Sequence, residues 1–126
     1  MNGSDAVVEV QQNVANWGRL LSRLHRKAEA LDSACLRAWG HPHDPAIRQE
    51  LLDALEWDSS LHPEHARSSI RNLFKQVHDH SVSLSNRIRS GADNPDSVAH
   101  VISHGAQSLR QNLAMLMQVL AARQTT

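Results

Sequence analysis

Residues 5–39 read DAVVEVQQNVANWGRLLSRLHRKAEALDSACLRAW, and their apolar side chains recur at alternating steps of three and four. Val7, Val10, Val14, Trp17, Leu21, Leu24, Ala28, Leu31, Cys35 and Ala38 fill the a and d positions of five successive heptads. That spacing lays one narrow apolar seam along a helix, the form that packs on other helices at a shallow angle. Ser4 or Asp5 can cap its start, and Gly40 followed by Pro42 stops it. Gly18 lies inside at a cost of roughly 1 kcal/mol relative to alanine. It is expected to admit a neighbouring backbone or a large side chain beside Trp17.

Working outward, His41-Pro42-His43-Asp44-Pro45 reads as a turn, with Asp44 as cap and Pro45 in the first helical position. A short helix over 45–60 is predicted, with Ile47, Leu51, Ala54 and Leu55 on one face and Trp57 and Leu61 on its flank. Pro63 opens a helix over 63–90, striped by Ala66, Ile70, Leu73, Phe74, Val77, Leu84 and Ile88. Pro95 opens the last, over 95–123, with Val98, Val101, Ile102, Ala106, Leu109, Leu113, Leu116 and Leu120. Connections of a few residues make sequential neighbours antiparallel. The expected fold is all-α, a single antiparallel helical-bundle domain over 1–126 with three long helices and one short. Helix 1 spans roughly 50 Å against roughly 40 Å for the other long helices. One of its ends, 7–17 or 31–39, is therefore expected to overhang.

Composition supports this class. The chain has no tyrosine and one phenylalanine, a poor supply for β-sheet. Its 13 basic and 13 acidic residues cancel, but residues 44–64 are acidic while 19–43 and 65–91 are basic. Such segregation is met inside the fold or across a dimer, and it disfavours a long-range field on nucleic acid. Cys35 is the only cysteine; at an a position it reads as a small buried apolar residue in a reducing compartment. Neither a secretory leader nor an apolar run of membrane-spanning length is visible, so a cytoplasmic protein without a membrane partner is expected.

Nine histidines are the oddest feature of the composition. In a helical bundle they invite a metal-site reading of the hemerythrin or DinB type, with ligands converging from several helices. The weak candidates are His100 and His104, at the i, i+4 spacing but opposite the apolar stripe of helix 4. His25 and Glu29 repeat the spacing away from the seam centre. His41 and His43 lie roughly 24 Å from His62 and His65 across helix 2, too far to share an ion. His80 reads as a core-edge residue. Neither a metal nor another cofactor is expected.

The string Arg71-Asn72-Leu73-Phe74-Lys75-Gln76-Val77-His78 resembles the arginine, polar residue, spacer and histidine motif of HEPN ribonucleases. Those are small helical domains that place the motif at a dimer interface. The resemblance implies that His78 serves in acid–base attack by a ribose 2′-hydroxyl on phosphate, and that Arg71 stabilises charge on that phosphate. Arg67, Lys75 and Arg89 extend the same side into a basic strip suited to phosphates. The aromatic residue that usually follows the histidine is replaced by Asp79, His80 and Ser81. The same residues also read as a solvated basic face opposite acidic helix 2, the reading the sequence favours. Ala99-His100, followed by Ile102 and Ala106, resembles part of the motif of histidine phosphotransfer domains. Ser103 and His104 stand where the lysine and glycine of that motif belong.

The remaining candidate is a surface. Val7, Val10, Val14 and Trp17 on the seam, with Trp39 and Trp57, are candidates for contact with another protein, since tryptophan is enriched where proteins meet. Trp39 and Trp57 can equally plug the ends of the bundle. The expected function is that of a small helical protein–protein interaction module (an adaptor, regulator, immunity-type or assembly subunit) that binds another protein, itself as a homodimer, or both. A HEPN-like ribonuclease using Arg71 and His78 is the alternative, and a metal-binding bundle the second. The sequence favours a binding protein over an enzyme.

Overall fold

The computed structural model describes residues 3–64, 66–91 and 93–124, with side-chain surroundings from 18 to 122 over the same stretches. Within them the chain is all-α: α1 (Gly3–Gly40), α2 (Pro45–Ala54), a 3-10 turn (Ser59–Leu61), α3 (Ser68–Ser90) and α4 (Pro95–Gln124). The fold is that of a helical bundle. α4 packs against both α1 and α3, while α2 packs on α1.

The seam explains α1. From Leu21 onward its a and d positions are buried: Leu24, Ala28, Leu31, Cys35 and Ala38 are each 0% exposed. The seam of the 31–39 half is thus covered, while Leu36 and Trp39 beside it stay exposed. The side chains of Val7, Val10, Val14 and Trp17 lie outside the described residues. A Cβ added at Gly18 meets nothing within 4 Å among the described residues, so the close approach expected there is not found.

Asp44 caps α2 by accepting from the backbone N–H groups of Ala46 (2.9 Å) and Ile47 (3.3 Å), and Pro45 takes the first helical position. Arg48 fastens this corner, donating to the Pro42 carbonyl at 2.6 Å and to the Pro95 carbonyl at the start of α4 at 3.1 Å.

The predicted second helix over 45–60 stops at Ala54 instead, for a geometric reason. Residues two apart on a helix point about 200° apart, so a continuous helix that buried Leu55 would turn Trp57 to solvent. Unwinding after Leu55 lets both go inward. The Trp57 indole N–H donates to Ser81 Oγ at 3.1 Å, and Lys27 Nζ from α1 donates to the freed Ala54 carbonyl at 2.7 Å. Asp58 then caps the 3-10 turn, accepting from the Ser60 N–H at 2.9 Å.

α3 starts at Ser68 rather than at 63. The proline at 63 holds His62 extended, and the chain turns through hydrogen bonds from Glu64 N–H to the His62 carbonyl (3.0 Å) and from Ala66 N–H to the Pro63 carbonyl (3.1 Å). The described residues between α2 and α3 therefore form a strap with one 3-10 turn rather than α-helix. In α3 the buried rungs are Ile70, Phe74, Val77, Ser81, Leu84 and Ile88. Ser81, 0% exposed, is a polar rung in an otherwise apolar seam; its hydroxyl donates to the Val77 carbonyl at 2.7 Å and accepts from Trp57.

Asn94 caps α4 through the Ser97 N–H at 3.2 Å. Val98, Ile102, Ala106, Leu109, Leu113, Leu116 and Leu120 are each at most 2% exposed, making this helix the spine of the core. Arg110 donates to Asp32 at 2.9 Å, tying α4 to α1. At Gly105 an added Cβ would stand 2.5 Å from Leu84 Cδ1, so the glycine sets how closely α3 and α4 approach.

Candidate functional site

Four helical positions build half of the site. Residues 71, 74, 75 and 78 fall within one side of α3, because steps of three and four return to the same face. Phe74 is buried there at 6% exposure, while Arg71 and Lys75 are exposed and His78 is one-third exposed. The strap lies along this face. Its Trp57 meets the Phe74 ring edge-on, with centroids 5.3 Å apart. His62 follows, 5.0 Å from Phe74 and 5.1 Å from His78, and Phe74 and His78 are 5.8 Å apart.

The result is an open cleft of about 350 Å³ between the strap and α3. Phe74 and Pro63 supply its apolar surface, and His62, Glu64, Arg71, Lys75, His78 and Asp79 supply its polar groups. His78 Nδ1 stands 3.8 Å from Asp79 Oδ1, too far for a hydrogen bond. Formal charges cancel, two cations against two carboxylates, so the balance is left to the imidazoles. The Ser60 N–H and hydroxyl hold the nearby Asp58 carboxyl below its usual range, helped by Arg23 and His62. Such a cleft can seat an apolar side chain, hold an anion, or move protons through two imidazoles.

Of the residues the sequence singles out, Arg71, Lys75 and His78 meet in this cleft. Arg67 is exposed but lines no part of it, and Arg89 points to the other end of the strap, pairing with Glu56 at 3.3 Å. The expected opposition between the basic strip and acidic helix 2 is realised only through that Glu56 contact among the described ion pairs; Glu50 pairs with Arg37 of α1 instead. Trp57 turns inward, and Trp39 outward at 53% exposure, next to Leu36 at 46% one helical turn away.

Sequence reasoning missed His62, Glu64 and Asp79. The signal available was the short distance along the chain from His62 to α3, which leaves the strap little choice but to return beside the first turns of that helix.

Other chemistry is constrained. Lys27 is partly buried, which lowers its pKa against the opposing pull of Glu56, and its ammonium lies 5.6 Å from the Trp57 ring centre. Cys35 is sealed in the core; burial first, then Asp32, push its thiol up to about 12. Among the described residues no group of three His, Cys, Asp or Glu side chains could hold a metal ion. His100 and His104 stand with ring centroids 4.3 Å apart on the exposed side of α4. Among the described residues, no helix is long and apolar enough to cross a membrane. No protein-family profile, curated protein or solved structure matches the chain.

Proposed function

We propose that the protein is a helical interaction module whose working surface is the cleft between the strap and α3. One observation carries this reading: a mixed-charge rim of His62, Glu64, Arg71, Lys75, His78 and Asp79 surrounds an open cleft whose apolar lining is Phe74 and Pro63. An apolar floor with a polar rim is the anatomy of a recognition site for a protein segment. Selection of displayed random peptides against the chain is expected to enrich a motif that loses binding in Arg71→Ala and His78→Ala but not in His100→Ala. Failure to enrich any motif, or a motif indifferent to both cleft variants, would count against the module. Self-association belongs to the same proposal, with exposed Leu36 and Trp39 as its contact; dimers at micromolar concentration in sedimentation are expected to weaken in Trp39→Ala.

A second reading draws on a specific contact. In the HEPN-like alternative Arg71 and His78 act on RNA, and in this fold they share one cleft within a single chain, with His62 beside His78 as a second imidazole. Two imidazoles can divide the roles of general base and general acid. Single-turnover cleavage of mixed-sequence RNA that is lost in His78→Ala supports this alternative. Cleavage that survives the substitution removes it.

A further inference from the structure

We propose that the cleft binds a single oxyanion, a carboxylate or phosphate group carried by a partner, and takes up protons as it does so. The proposal rests on the cleft being the working surface of the module. Its first ground is the charge balance: Arg71 and Lys75 are offset by Glu64 and Asp79, while outside the lining the Asp58 carboxylate is met by Arg23 of α1. No charged residue of α1, α2 or α4 lines the cleft. With neutral imidazoles the formal charges lining the cleft cancel, so a net positive charge beside Arg71 develops only with protons on His62 and His78.

The second ground is geometry. The two rings stand 5.1 Å apart, edge to face, so two protonated rings repel each other. An oxyanion seated against both converts that repulsion into two charge-assisted hydrogen bonds. Ligand and protons then favour each other's binding, and by linkage the coupling is reciprocal. Phe74 packs against both rings from the core side, so the open side of the cleft is where a ligand meets them. Glu64 and Asp79 oppose any second negative group nearby, which selects one anion on an otherwise neutral or basic chain over a polyanion such as RNA.

The full chain, labelled in its histidine rings, is titrated by NMR with sodium acetate and separately with inorganic phosphate at pH 5.5 and 7.5. Calorimetry in two buffers of different protonation enthalpy accompanies each titration. The His62 and His78 signals are expected to shift together and saturate, while those of His100 and His104 do not. Binding is expected to be weaker at pH 7.5 than at pH 5.5, Kd rising by at most about tenfold per pH unit for each group protonated, and Arg71→Gln to weaken binding by about tenfold or more. Tighter binding of acetate assigns a carboxylate source and tighter binding of phosphate a phosphorylated one; either order supports the proposal. Equal shifts at His100 and His104 mean an adventitious ion only and overturn it, as does binding without proton uptake. A short RNA that binds far more tightly than inorganic phosphate overturns it in favour of a polyanion. Saturable anion binding without a selectable peptide motif would spare the inference and sink the module reading. A peptide motif indifferent to both anions would do the reverse.

Discussion

Two glycines inside helices have opposite surroundings, and their substitution by alanine separates two effects that are usually entangled. At Gly18 the added methyl meets open space among the described residues, so Gly18→Ala keeps only the gain in helix propensity and is expected to stabilise by about 1 kcal/mol. At Gly105 the same methyl lands 2.5 Å from Leu84 Cδ1 in the core. There the crowding outweighs the propensity gain, and Gly105→Ala is expected to destabilise by about 1–3 kcal/mol. Urea unfolding of the two variants checks both signs; a stabilised Gly105→Ala would show that the Leu84 side chain turns aside at little cost. Cys35 makes a prediction of a different kind. Its thiol is raised to about 12 by burial, so the folded state holds the proton after the unfolded chain has lost it. The corresponding stability is complete below the ordinary thiol range near pH 9 and falls as pH rises towards 12, by at most about 1.4 kcal/mol per pH unit. Cys35→Ala should unfold with a shallower pH dependence between pH 9 and 11. A thiol reagent should label native Cys35 only on unfolding.

Among the elements, α2 is the one held most by its ends. Asp44 accepts from two backbone N–H groups at its start and Lys27 donates to its last carbonyl, while Leu51 is its one fully buried residue. Asp44→Ala is expected to cost about 1 kcal/mol, with hydrogen exchange accelerating first in α2; uniform acceleration through the chain would show that α2 does not open by itself. Element boundaries also show what the sequence could tell. Where caps and apolar spacing agree, as at Asp44-Pro45 and Asn94-Pro95, the helix starts were legible because the signals are local. The end of α2 and the start of α3 were not, because Trp57 finds its partner Ser81 24 positions away. A serine in an apolar stripe announces no such contact. For the same reason part of the cleft was readable from α3 alone, through Arg71, Lys75 and His78, while His62 and Glu64 became part of it only once the strap folded back.

At the scale of the molecule, the core is centred on α4. Leu113 is fully buried in it, and Leu113→Ala is expected to cost about 2–5 kcal/mol. Because α4 contacts both other long helices, tryptophan fluorescence and helix content should fall at the same urea concentration; separate transitions would mean that α1 and α3 unfold as independent units. The all-α class and the main stripes were legible because periodicity reports burial along each helix. Which helix lies centrally was not, since the seam of α1 is more regular in sequence than the broader face of α4. That arrangement has a consequence for synthesis. The seam of α1 is complete at Ala38, yet the helix that covers it is the last element, with its core reaching Leu120. On the ribosome the apolar seam must wait through roughly 80 further residues, on the order of 4–16 s at ordinary elongation rates. During those seconds α1 and α3 lack their common partner, and the nascent chain is most open to chaperones and to mispairing with its neighbours on the same message.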